Sequence, residues 1–113
     1  MTLGELLREA PSTRAAASAL DPVAAGRTVA AVIYDSRRAE PGALFVAIRG
    51  ERADGWSFAP QAVAAGALAV VADRPAPPDL VAPWVLVSDA RLALAELAAA
   101  FHGHPSRALR VVG

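Results

Sequence analysis

Residues Tyr34 to Phe58 read Y-D-S-R-R-A-E-P-G-A-L-F-V-A-I-R-G-E-R-A-D-G-W-S-F. Two apolar runs here each empty into a polar loop. Val29–Tyr34 ends in Asp35-Ser36-Arg37, and Leu44–Ile48 ends in Arg49-Gly50-Glu51-Arg52-Ala53-Asp54-Gly55. Polar loops at strand ends, ahead of a helix, are where α/β proteins place ligands. The two loops are therefore read as the walls of one binding site.

Working outward, Thr28–Tyr34 and Leu44–Ile48 read as strands with a turn at Pro41-Gly42 between them. Ser57 is placed to cap a helix running to about Ala65, with Pro60 in its tolerant first turn, Ala59, Ala62 and Val63 facing inward, and Gly66 as its stop. Leu68–Ala72 is the next strand, so residues 44–72 form a βαβ unit with parallel strands. Asp73–Pro83 carries four prolines and reads as a surface connection. Trp84–Val87 is a fourth strand, and Asp89 caps a helix over Ala90–Phe101 in which Leu94, Leu97, Ala98 and Phe101 face the sheet and Leu92 faces away. That helix is expected to stop at Gly103, placing His102 and His104 at its C-terminus, and Leu109–Gly113 to begin another strand. At the front, Thr2-Leu3-Gly4-Glu5 has capping-box spacing and opens a short helix closed by Pro11 and Ser12. Thr13–Gly26 reads as a loop with at most one helical turn. The fold class predicted is α/β: a single small domain, residues 1–113, with a mixed, mainly parallel sheet flanked by helices.

Composition narrows the chemistry. Hydrophobic residues make up 55% of the 113, but 29 are alanine, so bulky core side chains are fewer than that share suggests. Eleven arginines balance eleven acids with no lysine, which gives no electrostatic case for nucleic acid or an anionic membrane. Without lysine there is neither a Schiff base nor a phosphate-loop lysine within these residues. Cysteine is absent, which fits the cytoplasm, and neither a signal peptide nor a membrane span is expected. His102 and His104 alone do not make a metal site. No carboxylate pair, nucleophile elbow or glycine-rich phosphate loop is evident, so no catalytic and no metal-binding residue is assigned.

The two central loops offer more. The Ser36 hydroxyl donates and accepts, and free backbone groups at the strand end and after Gly50 suit a flat heterocycle with alternating C=O and N–H, such as uracil. The alternative is a purely structural Asx turn, with Asp35, Ser36 and Arg37 held by an ion pair.

The run D-S-R-x-x-x-P-G-x-L-F-V-A-I-x-G, followed by D-G-x-x-F, A-x-x-x-G-A and A-V-V-A-D, resembles the N-terminal domain of the Mur ligases of peptidoglycan synthesis. The later stretch ending F-H-G-H-P-S-x-x-L-R-V-V-G is similar to the MurE type, the UDP-N-acetylmuramoyl-tripeptide synthetases; the MurF type shares the first block. The resemblance covers residues 29 to 113. It implies a domain that holds the uridine nucleotide of a UDP-MurNAc-dipeptide, with uridine contacts at Tyr34, Ser36, Glu51, Arg52 and Ala53. The second loop departs from one common pattern, reading Glu-Arg-Ala in place of His-Gln-Ala, and Trp56 stands where histidine is frequent. The resemblance further implies, after residue 113, a central ATPase domain that supplies ATP and magnesium, with neither held in these residues, and a C-terminal domain that binds the incoming amino acid, with a carboxylate activated as an acyl phosphate before that amino acid attacks. Leu109–Gly113 is accordingly expected to continue into an ATP-binding loop. A non-catalytic nucleotide-sugar-binding module, and an interaction domain using the Leu92 surface, are the rival readings.

Overall fold

The computed structural model describes residues 1–48, 55–78 and 80–109, with side chains of the last segment described as far as Gly103. Helix α1 (Leu3–Glu9) begins at the expected capping box: the Thr2 amide donates to Glu5 Oε1 at 2.8 Å and the Glu5 amide to Thr2 Oγ1 at 3.2 Å. Leu3, Leu6 and Leu7 are fully buried along one side of it. The stretch read as a loop instead holds two single-turn helices, α2 (Arg14–Ala17) and α3 (Pro22–Ala25). Alanine carries too little apolar pattern to mark such turns, and short-range side-chain bonds set them. The buried Thr13 hydroxyl donates to the Leu7 carbonyl at 2.7 Å, and Asp21 caps α3 with proline following it.

Four strands are described: β1 (Ala31–Ile33), β2 (Ala43–Ala47), β3 (Ala69–Ala72) and β4 (Trp84–Leu86). They lie in the order β1-β2-β3-β4, and every neighbouring pair is parallel. The expected mixture reduces to one isolated antiparallel bridge, Thr2 to Thr28, beside a wholly parallel sheet. That bridge shortens the first strand. The Val29 amide donates to the Met1 carbonyl and the Ala30 amide to Gly42, so residues 28–30 spend their hydrogen bonds outside the ladder. With β1 only three residues long, residues 34–42 return to the start of β2 without the crossover of about a dozen residues that parallel neighbours ordinarily need.

Side chains alternate across this sheet. Leu44, Val46, Val71 and Val85 join Leu3, Leu6, Leu7 and Leu97 in one core, beneath α1 and helix α5 (Ala90–Leu109). Phe45, Ala47, Val70 and Ala72 join Ala59 and Ala62 of helix α4 (Ala59–Ala64) in the other, with Ala39, Leu80 and Trp84 packed against it. All three connections between strands therefore pack on the α4 face.

Helix α5 starts as expected, with the Leu92 amide donating to Asp89 Oδ1 at 3.1 Å. Its inward face also contains Ala90 and Ala93, both buried, while Leu92 is half exposed. It does not stop at Gly103 but runs to Leu109, so the strand expected from Leu109 does not begin there, and Arg110–Gly113 lie outside the described residues. A glycine ends a helix when it turns left-handed, and Gly103 does not. His102 is thus interior to the helix, edge-on to Phe101.

The start of α4 also differs from the reading. Gly55–Phe58 forms a 3-10 turn that takes up Ser57, leaving Phe58 as the cap residue with no side-chain hydrogen bond. The stop is as expected: Gly66 has φ +115°, and a Cβ there meets Pro41 Cα and N at 2.8 Å. Replacing it with alanine combines a left-handed alanine, costing about 1–2 kcal/mol, with a backbone clash. Gly66→Ala is expected to lower stability by at least about 2 kcal/mol and the melting temperature by about 8 °C or more. Gly26→Ala, at φ −82° with its nearest contact 3.4 Å away, is expected to stay within about 1 kcal/mol of the parent. Thermal unfolding of the two variants checks this, and equal losses would show that the Gly66 contact is not what limits substitution.

Candidate functional site

In a parallel sheet all strand C-termini emerge at one edge. Here that edge brings together the turn after β1 and both ends of the loop after β2. Asp35 caps a 3-10 turn, Ser36–Arg38, accepting the Arg37 amide at 3.0 Å. The Arg37 guanidinium closes on the same carboxylate, with Nε at 3.1 Å from Oδ1 and a terminal nitrogen at 2.9 Å from Oδ2. The structural alternative at this turn is therefore realised, and it leaves Ser36 available: its hydroxyl has no hydrogen-bond partner among the described residues.

The hydrogen bonds from Arg37 hold the Asp35 carboxyl down to about 2. Stability from this pair is thus present above the ordinary carboxylate range and lost as pH falls through about 2. The pair is solvent-exposed and screened, so its role is to fix the shape of the turn rather than to add much stability.

The loop after β2 is gathered at its base, where the Gly55 amide donates to the Ile48 carbonyl at 2.9 Å. A Cβ on Gly55 meets that oxygen at 2.7 Å and the Ile48 nitrogen at 2.8 Å, so only glycine allows this approach. Just beyond, the Trp56 indole donates to the Pro75 carbonyl at 2.9 Å beneath the Arg74 guanidinium, 5.0 Å from the ring centroid. Trp84 donates to the Arg74 carbonyl at 2.8 Å. Two indoles thus pin the proline-rich connection, a structural role for Trp56 that its sequence context did not reveal.

Between the β1 turn and the described ends of the β2 loop lies a cleft of about 560 Å³. Tyr34 and Ser36 line it from the β1 side, together with Asp35 and Arg37. Phe45, Ile48 and Gly55 line it from β2, and Phe58 and Gln61 from the start of α4. Of the five residues expected to contact a ligand, Tyr34 and Ser36 are brought together here; Glu51, Arg52 and Ala53 lie outside the described residues. The sequence reading did not foresee Phe58 and Gln61 in the cleft. Phe58 sat within D-G-x-x-F without a role, and its spacing of three from Gln61 was the available signal that they share a helix face.

A larger hollow of about 900 Å³ lies along the outer edge of β1, against Leu94 and Ala98 of α5, with Arg38 and Glu40 among its polar residues. It shares Tyr34 and Asp35 with the cleft but not Ser36 or the β2 loop ends. Among the described residues no group of three or more histidine, cysteine or acidic side chains could hold a metal ion, and no helix is long and apolar enough to cross a membrane.

Known proteins resemble this chain in sequence and in fold. The family described as "Mur ligase family, catalytic domain" matches residues 28–102. The chain is 55% identical over 86 residues to a UDP-N-acetylmuramyl-tripeptide synthetase of Roseiflexus sp. (strain RS-1), covering 75% of this chain and 17% of that protein. It is 44% identical over its whole length to a UDP-N-acetylmuramoyl-L-alanyl-D-glutamate–2,6-diaminopimelate ligase of Solibacter usitatus (strain Ellin6076), covering 22% of that protein. Among solved structures, a crystal structure of MurF from Acinetobacter baumannii is similar with a TM-score of 0.57 and 35% identity, over 70% of this chain and 17% of that one. The chain thus spans about a fifth of the length of these relatives. With the matched family covering all four described strands, α4 and most of α5, the chain belongs to the Mur ligase family.

Proposed function

We propose that this chain is the substrate-docking domain of a cytoplasmic, ATP-dependent amide-bond ligase that extends a UDP-N-acetylmuramoyl peptide, and that the cleft between the β1 turn and the β2 loop holds its uridine nucleotide. The observation that carries this reading is the meeting of Tyr34, Ser36 and the Ile48–Gly55 loop base around one cleft. The unpaired Ser36 hydroxyl offers a donor and an acceptor to the base, and the Asp35–Arg37 pair holds the turn that presents it. Contacts from Glu51, Arg52 and Ala53 complete the site in this reading.

Within the family, we assign the chain to the tripeptide-synthetase (MurE) type, which adds the third residue to UDP-MurNAc-L-Ala-D-Glu. Its support is the identity to the Roseiflexus and Solibacter proteins and the F-H-G-H-P-S segment. The MurF type is the second reading, favoured by the solved structures that resemble the chain. Turnover of the dipeptide-linked substrate with diaminopimelate or lysine, against turnover of the tripeptide-linked substrate with D-alanyl-D-alanine, separates the two. The described residues do not fit a magnesium–ATP site, having no acidic or histidine cluster, and the sequence has no lysine to grip a triphosphate. Their part in the reaction is to bind and orient the nucleotide end of the substrate.

Removing one neutral hydrogen bond costs about 0.5–1.5 kcal/mol, or roughly 2- to 13-fold in affinity. In the complete ligase, Ser36→Ala is expected to raise KM for the UDP-linked substrate by that factor while kcat changes less. An unchanged KM with collapsed turnover contradicts the role given to Ser36. In the second loop, the departure from His-Gln-Ala points to backbone contacts. Glu51→Gln and Arg52→Gln are therefore expected to raise KM less than Ala53→Pro, which fixes φ and removes an N–H. Steady-state kinetics of the three variants check this, and a dominant effect of Arg52→Gln indicates a guanidinium contact instead.

A further inference from the structure

Phe58 occupies the cap position of α4, where a serine, threonine, aspartate or asparagine would satisfy a free amide. It makes no such bond, and Ser57 beside it is taken up in the 3-10 turn. The residue is instead left 39% exposed, on a helix whose Ala59 and Ala62 are completely buried. It lines the cleft. Three residues on, and so on the same helix face, Gln61 lines it too, with a side-chain amide that makes no hydrogen bond to a described residue. A local rule broken at a cleft is where a binding role is expected.

We propose that Phe58 and Gln61 read the base of the bound nucleotide: the Phe58 ring packs on the face of the pyrimidine, and the Gln61 amide pairs with its imide edge. The chemistry fits on both counts. A flat apolar ring offers stacking that any base accepts. An amide presents one acceptor beside donors, which matches the adjacent N–H and C=O of uracil. This inference rests on the cleft being the uridine site, and it extends that site to a third element, α4.

The test uses dissociation constants of the 113-residue chain for UDP and for N3-methyl-UDP, from ligand-detected NMR, with Ser36→Ala as a reference variant. The parent chain is expected to favour UDP over the methylated form. Gln61→Ala is expected to bring the two constants close together, losing about 2- to 13-fold for UDP alone. Phe58→Ala, or Phe58→Leu should the alanine variant not fold, is expected to weaken both ligands by at least about fivefold, and Phe58→Tyr to restore them. A merely structural role for Gln61 leaves the ratio of the two constants unchanged. If the parent binds UDP, Ser36→Ala weakens it, and the Phe58 and Gln61 variants bind as the parent does, base reading by α4 is wrong while the uridine site stands. If the parent shows no saturable UDP binding, both fall.

Discussion

Strand β2 is buried on both faces, each of its five side chains covered, and the rest of the molecule is arranged to keep it so. Burial of Leu44, Phe45 and Val46 contributes about 1.5–3 kcal/mol apiece, which requires helices on both sides of the sheet. Leu44 and Val46 demand α1 and α5; Phe45 demands α4. Because the neighbours of β2 are both parallel to it, the covered strands release their chain ends at a single edge. The polar groups excluded from that core collect there, and the cleft is the result. Core and site are two consequences of one buried strand.

The elements around β2 were legible because their signals are local and strong. The βαβ unit, the Gly66 stop, the Asp89 cap and the Thr2 capping box each rest on residue types with one dominant structural use. What was not legible lacked such a signal. The two single-turn helices before β1 are held by Thr13 and Asp21 within alanine-rich sequence that has no period of its own. The shortening of β1 follows from its bridge to Thr2, and the continuation of α5 through Gly103 from a backbone that the glycine does not turn. Ser57 looked like a cap because the sequence does not show the 3-10 turn that takes it up.

The site divides in the same way. Tyr34 and Ser36 were readable from strand-end position and from resemblance to the family, and both line the cleft. The Asp35–Arg37 pair, weighed as an alternative to a binding role, fixes the turn and leaves the neighbouring hydroxyl without a partner among the described residues. Phe58 and Gln61 were not readable, since their place in the cleft depends on how α4 begins. A cleft lined by three elements is visible in sequence only where each element has its own signature.

The central claim is that the strand-end loops of β1 and β2 form a site for uridine nucleotide and not for adenosine triphosphate. Amide chemical-shift mapping of the 113-residue chain, titrated with UDP and separately with ATP, tests it most directly. A few neutral hydrogen bonds and one partly buried ring leave little surplus over the entropy of association, so a UDP dissociation constant on the order of 0.1–10 mM is predicted. UDP should shift the amides of Tyr34–Arg37 and of the Ile48–Gly55 loop saturably while ATP leaves them nearly still. Equal responses to the two nucleotides, or shifts centred on Leu92 of α5, would contradict it.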